Sequence, residues 1–361
     1  TTFAWFTDTA STGVNKIVSG NLKVDIIGAD SDSHIEKLNF TKAATTDAEA
    51  GAEILWEPGC RYLTEGFRIA NKGNLALKWK AQVNTGTTAA NEGNFDLLDV
   101  IDFYLVTKAA DGTETETALD EFTGNLKKTE TSDVYYIKGV MQTTAGNDYQ
   151  GLTLDGISIT VVATQDTVES DSFDNQYDKD AEYPILVTTG DELQAIVSNA
   201  TAPVNIVLTN SITTNNFVIP ADKDVTLDLN GRTVTNAESH TILNKGHLTL
   251  TDSSADKSGQ IISLKGNTAA LRNGDNAVCV VEGGTISRDG ANGNTWHVVE
   301  NFGKMTFNGG KVVLKNGNGF AITNGWNYFD PGASTTHAVM EINALELDTD
   351  SSGIKNCRYG D

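Results

Sequence analysis

Asn244-Lys245-Gly246-His247-Leu248-Thr249-Leu250 returns later in the chain as Asn301-Phe302-Gly303-Lys304-Met305-Thr306-Phe307. Both fit the pattern N-x-G-x-(L/M)-T-(L/F). Each copy is preceded by an apolar pair, Ile242-Leu243 or Val298-Val299, and followed by a glycine and two apolar residues, Gly259-Gln260-Ile261-Ile262 or Gly310-Lys311-Val312-Val313. Val280-Val281-Glu282-Gly283-Gly284-Thr285-Ile286 reads as a weaker copy. Short apolar strands separated by Asn and Gly corners are the sequence signature of a stacked solenoid. Gly and Asn tolerate the left-handed backbone angles that tight corners use. Residues 184–361 therefore read as a right-handed parallel β-helix. Thr189-Gly190-Asp191-Glu192 has the form of a capping box, and Leu193, Ile196 and Val197 follow at helical spacing. A short helix over 190–199 is expected to cap the first rung, whose strand edges would otherwise be bare.

Residues 1–164 have a different texture. Leu22-Lys23-Val24-Asp25-Ile26, Leu75-Ala76-Leu77-Lys78-Trp79, Val134-Tyr135-Tyr136-Ile137 and Ile157-Ser158-Ile159-Thr160-Val161 alternate with the strand period of two. They read as a sandwich. Asn94-Phe95-Asp96-Leu97-Leu98-Asp99-Val100-Ile101 reads as a short helix capped by Asn94, with Leu97, Leu98 and Ile101 on one face. Residues 165–183 are acid-rich and nearly free of aliphatic side chains, which marks a solvated linker. Its carboxylates do not have the spacing of an EF-hand loop. The expected organisation is a sandwich at 1–164, the linker, and the β-helix at 184–361, an all-β chain throughout.

The chain has 361 residues, 39% hydrophobic and 20% charged, so it can form a folded core. Its net charge of −22 disfavours binding to a nucleic-acid backbone. No apolar run is long enough to span a membrane. The chain opens on Thr1-Thr2-Phe3, which fits a processed, exported protein. Cys60, Cys279 and Cys357 lack metal-ligand spacing. One disulfide among them is compatible with an oxidising compartment, its pairing open. Cys279, inside Ala277-Val278-Cys279-Val280-Val281, reads as a small core residue.

In the first half, Phe6-Thr7-Asp8-Thr9, Gly20-Asn21-Leu22-Lys23-Val24-Asp25, Glu57-Pro58-Gly59 and Asn71-Lys72-Gly73-Asn74-Leu75-Ala76-Leu77-Lys78 follow one another in an order that resembles the TasA/camelysin family. The resemblance covers about residues 3–165. It implies a jelly-roll sandwich, export through a SipW-type signal peptidase, and residence at the cell surface or in a biofilm matrix. It also implies head-to-tail assembly into fibres, in which the N-terminal strand of one subunit completes a sheet of the next. The matching residues are Thr2, Phe3, Ala4, Trp5, Phe6 and Thr7. Aromatics at a free chain end need cover, and strand addition to an open edge supplies backbone bonds and side-chain pockets together. The alternative is that this strand folds back into its own sandwich. The family's camelysin branch implies a metalloprotease. A zinc protease needs converging ligands and a base, typically H-E-x-x-H, and His34, His240, His247, His297 and His337 do not form that motif.

The second half resembles the pectate-lyase-type β-helix superfamily in its repeat style. That fold hosts enzymes and adhesins alike. Glycosidase chemistry requires two carboxylates at a defined separation. Asp228, Glu282 and Glu300 are candidates that no spacing singles out, and no catalytic residue, metal site or cofactor is expected. Trp296, Trp326 and Tyr328 offer a glycan-stacking or contact surface, or a cover for the end of the solenoid. Three functions follow in order. The first is a fibre or matrix subunit whose partner is itself, with matrix polysaccharide or other matrix proteins as further partners. The second is a monomeric surface adhesin, and the third a polysaccharide-degrading enzyme.

Overall fold

The computed structural model describes residues 22–35, 38–41, 56–84, 87–88, 95–119, 122–152, 154–155, 158–166, 182–288, 296–315, 319–326, 337–357 and 360. The donor-strand residues Thr2 to Thr7, Tyr328 and most of the linker lie outside them.

From Ile185 onward the strands fall into three sheets that the chain visits in turn. The first contains Val204–Leu208, Asp224–Asp228, His247–Thr251, Val278–Val281, Lys304–Phe307 and Val339–Ile342, after a leading Ile185–Val187. The second runs from Ile212–Thr213 to Glu346–Thr349, and the third from Val218–Ile219 to Ser352–Asn356. Every pairing within these sheets is parallel, rung upon rung. This is the arrangement of a parallel β-helix. Its core is a column of aliphatic side chains, and Leu248, Cys279 and Met305 stack in one line of it. Burial drives the Cys279 thiol pKa up to about 12, so it stays protonated and acts as a small hydrophobe. Among the described residues no disulfide joins Cys60, Cys279 and Cys357.

The repeated asparagine has a role different from the one its composition suggests. Asn244, Asn273, Asn301, Asn324 and Asn356 occupy one position of the third sheet in successive rungs. Each Nδ2 donates to the Oδ1 of the next, at 2.8, 2.8, 2.7 and 3.2 Å. The first four side chains are fully buried. Asn244, Asn273 and Asn301 also donate to a backbone carbonyl of the following rung, Val278, Lys304 and Val339 in turn. The left-handed conformation belongs to other asparagines, Asn216, Asn230, Asn267 and Asn276. The glycine two places after the ladder residue answers a close approach. A Cβ on Gly246 would lie 2.3 Å from the Pro220 carbonyl oxygen, and one on Gly303 2.3 Å from that of Ala277.

The helix Gly190–Asn199 forms where expected. Thr189 Oγ1 accepts from the Glu192 N–H, and Leu193 and Val197 are buried in the β-helix core. The reciprocal bond shifts by one residue, with the Glu192 carboxylate accepting from the Thr188 N–H. At the other end, core-column side chains of the last rung are open. Ile342 is 44% exposed, Leu347 39% and Ile354 42%.

The first half is antiparallel. One sheet pairs Val24–Gly28, Phe67–Asn71, Tyr135–Met141, Arg61–Thr64 and Phe40–Thr41, with Ile101–Lys108 and Glu114–Thr117 branching from it. A second sheet has the order Ser158–Gln165, Leu77–Asn84, Phe122–Leu126. Side chains from both sheets share a core around Trp79, Phe122 and Tyr135. The short helix expected over 94–101 is corrected. Leu97–Asp99 is a single 3₁₀ turn capped by Asp96, whose Oδ1 accepts from Leu98 N–H, and Ile101 already opens a strand. Pairing with Tyr135–Met141 claims Ile101 before a helix can propagate. Gln165, where the linker was expected to begin, is still paired with Leu77, and the Asp166 N–H donates to the Ala76 carbonyl.

The two halves touch. Arg232 Nη2 donates to Ser158 Oγ at 3.1 Å, Asn230 Nδ2 to Thr160 Oγ1 at 3.3 Å, and Asn84 Nδ2 to the Thr209 carbonyl at 3.3 Å.

Asn273→Ala should lower unfolding free energy by about 2–4 kcal/mol, because it strips buried amide and carbonyl groups of their partners. Asn343→Ala should change it by less than about 0.5 kcal/mol, since the Asn343–Asn308–Glu282 chain is exposed. Chemical denaturation of the two variants compares them directly.

Candidate functional site

Residues adjacent to the asparagine ladder point away from the core. In register they are Leu243, Arg272, Glu300, Thr323 and Lys355. Outward residues on a sheet face are ordinarily wet, yet Glu300 is only 4% exposed. Its Oε1 accepts from Trp296 Nε1 at 3.0 Å and its Oε2 from Arg272 Nη1 at 3.2 Å. Burial raises the Glu300 pKa; the Arg272 charge and the Trp296 and Arg272 hydrogen bonds oppose that without cancelling it.

Aromatic faces line the same area. The Arg272 guanidinium lies 4.7 Å from the Phe302 ring centroid, and Phe302 lies 4.4 Å from the ring of Trp326. Lys355 Nζ sits 4.8 Å over Phe320. Trp296 and Trp326, two of the three residues of the expected aromatic surface, are therefore joined through Glu300, Arg272 and Phe302; the third, Tyr328, lies outside the described residues. The Trp326 Nε1 is buried with no hydrogen-bond partner among the described residues.

Two histidines occupy equivalent corners. His240 and His297 each stand four residues before a ladder asparagine. His240 Nδ1 accepts from the Ala269 N–H at 2.8 Å, and His297 Nδ1 from the Phe320 N–H at 3.0 Å. Burial is the main cause that lowers both pKa values to about 4; Arg272 and Arg288 add to it at His240, Lys355 and Arg288 at His297. Arg288 reaches the cluster from the second sheet. Its Nη2 donates to the Lys265 carbonyl at 3.1 Å, and burial takes its pKa down to about 10.

Other expected carboxylates lie elsewhere. Asp228 caps a corner after the first sheet, accepting from the Asn230 and Ser253 N–H groups. Glu282, also following that sheet, accepts from Asn308. Neither is brought to Glu300. Among the described residues, no group of three or more His, Cys, Asp or Glu side chains is placed to hold a metal ion. No helix there is long and apolar enough to cross a membrane.

Arg272 and Arg288 were not singled out by the sequence, and His297 and Phe302 entered its reading only as a histidine outside any zinc motif and as a member of the repeat. Their signal was the phase of the ladder. Asn273 belongs to it, but a longer corner, Gly274 to Ala277, separates it from its next strand and hides the repeat.

No family model matches the chain, and no curated protein does. Among solved structures, the catalytic domain of a GH87 alpha-1,3-glucanase in complex with tetrasaccharides is similar at 10% identity, over 93% of this chain and 69% of that one, with a TM-score of 0.18. The same kind of domain in complex with nigerose gives 10% identity over 90% and 76%, with a TM-score of 0.14. Likenesses of that size carry no argument about chemistry.

The low histidine pKa values set a sign. Between about pH 6.5 and 4 the unfolded chain binds protons that native His240 and His297 refuse, so their contribution to stability is full above 6.5 and lost as pH falls. His297→Asn, whose Oδ1 can replace Nδ1 as acceptor, should flatten the decline in denaturation midpoint over that window.

Proposed function

We propose that the chain is a structural subunit of an extracellular bacterial fibre or biofilm matrix, assembled head to tail, with the β-helix displayed as a contact domain. On this reading the antiparallel half is a jelly roll of the TasA/camelysin type, the β-helix is right-handed, and the protein is exported. The observation that supports it is an open sheet edge. Phe122–Leu126 pairs with Leu77–Asn84 on one side and with no strand on the other among the described residues. Its sheet-mate Ser158–Gln165 is flanked by the β-helix through Ser158 and Thr160. An antiparallel edge over an apolar core is a template for another chain. Extended as a strand, Thr2-Phe3-Ala4-Trp5-Phe6-Thr7 would turn Phe3 and Trp5 to one face and Ala4 and Phe6 to the other, and we assign the filling of that edge to this segment of a neighbouring copy.

A second reading, a glycan-contact surface on the β-helix, is supported by the convergence of Trp296 and Trp326 on Arg272 and Glu300.

Deleting residues 1–9 tests the first reading. The truncated protein should remain folded, with an unchanged thermal transition, and form no fibres by negative-stain microscopy. Fibres of normal appearance from the truncated chain would overturn it.

A further inference from the structure

His240 and Arg272 present an unresolved meeting of donors. Because His240 Nδ1 accepts a backbone N–H, the neutral ring carries its proton on Nε2. That nitrogen lies 3.4 Å from Arg272 Nη1, which can only donate. Arg272 spends one donor on Glu300, and its Nε and Nη2 have no acceptor among the described residues. The Arg272 side chain is 28% exposed, so the fork is reachable from solvent. An oxyanion between the two groups would satisfy both. A guanidinium fork matches a planar oxyanion with two parallel bonds.

The surroundings narrow the ligand. Half-buried Trp296 is bound to Glu300 beside the fork, and half-buried Trp326 lies one ring beyond it, packed on the Phe302 that covers the guanidinium; both are flat aromatic surfaces of the kind that sugar rings cover. Lys355 continues the column three rungs away, about 14 Å along the sheet. Cations spaced so widely suit a polymer with sparse charges. A nucleic-acid backbone carries a charge about every 1.7 Å of duplex axis, and the chain's net charge of −22 repels it.

We propose that Arg272 and His240 receive the oxyanion, carboxylate or sulfate, of an acidic oligosaccharide whose rings lie against Trp296 and Trp326. This rests on the second reading above, of the β-helix as a glycan-contact surface, and is independent of fibre formation.

Calorimetric titration of the full chain tests it with three probes: a hyaluronan hexasaccharide, a chondroitin sulfate hexasaccharide and a neutral dextran oligosaccharide. At least one acidic probe should bind and dextran should not; because chondroitin sulfate carries carboxylates as well as sulfates, binding confined to it assigns a sulfate, and comparable binding of hyaluronan assigns a carboxylate. Arg272→Gln should weaken binding at least tenfold. Arg272→Lys keeps the charge and its pairing with Glu300 but loses the fork, and should weaken it severalfold with an unchanged melting transition. Lys80→Gln, on an exposed position of the first half, should bind as the parent does. Absence of binding to both acidic probes, equal binding of dextran, or binding that survives both Arg272 substitutions would overturn the proposal. Repeating the titration on the chain lacking residues 1–9 separates it from the fibre reading, because the sugar site should bind with or without assembly.

Discussion

The head-to-tail amide chain from Asn244 to Asn356 is the interaction on which the second half depends. A parallel solenoid has little to fix the phase of one rung against the next, because corners vary in length. Successive ladder residues lie 29, 28, 23 and 32 positions apart. The amide bonds hold the third sheet in register despite that variation. They point the same way, so each polarises the next in the low-dielectric core. Corner loops are thereby free to differ, and their differences place Trp296 and Trp326 on one face.

That face shows how a regular scaffold yields an irregular site. The strand alternation dictates which residues point outward, and the ladder dictates which of them share a column. Glu300 then sits between Arg272 and Thr323 as a consequence of register. Trp296 and the neighbouring side chains close over it, which raises its pKa and holds its carboxylate against two donors. The same burial keeps His240 and His297 neutral, so among the described residues the charge of the cluster comes from Arg272, Arg288 and Lys355 against Glu300.

Much of the architecture was legible from local pattern. Alternation marked Val24–Gly28, Leu77–Asn84, Tyr135–Met141 and Ser158–Gln165 as strands. The cap at Thr189 and the apolar face of Leu193 and Val197 marked the helix. The Asn-Gly repeat marked the parallel stack, but its physical meaning was different. Asparagine serves there through its side-chain amide, and Gly246 and Gly303 serve by lacking a Cβ against the preceding rung. The pattern over residues 94–101 suggests a helix, but the structure has a 3₁₀ turn at Leu97–Asp99, because the strand pairing of Ile101 is a long-range effect that local pattern does not carry. The Arg272–Glu300 pair was illegible for a related reason. Its members are 28 residues apart in sequence and meet only through the register of the rungs.

Among the described residues the edge of Phe122–Leu126 is open, and the proposed assembly would fill it with the N-terminal strand of a neighbouring subunit. A helical reconstruction of fibres formed by the full chain tests it most directly. The expected density is an extended strand containing Phe3, Trp5 and Phe6, contributed by a neighbouring subunit and paired along that edge. The same strand folded into its own sandwich, or a chain that stays monomeric under every assembly condition, would contradict it.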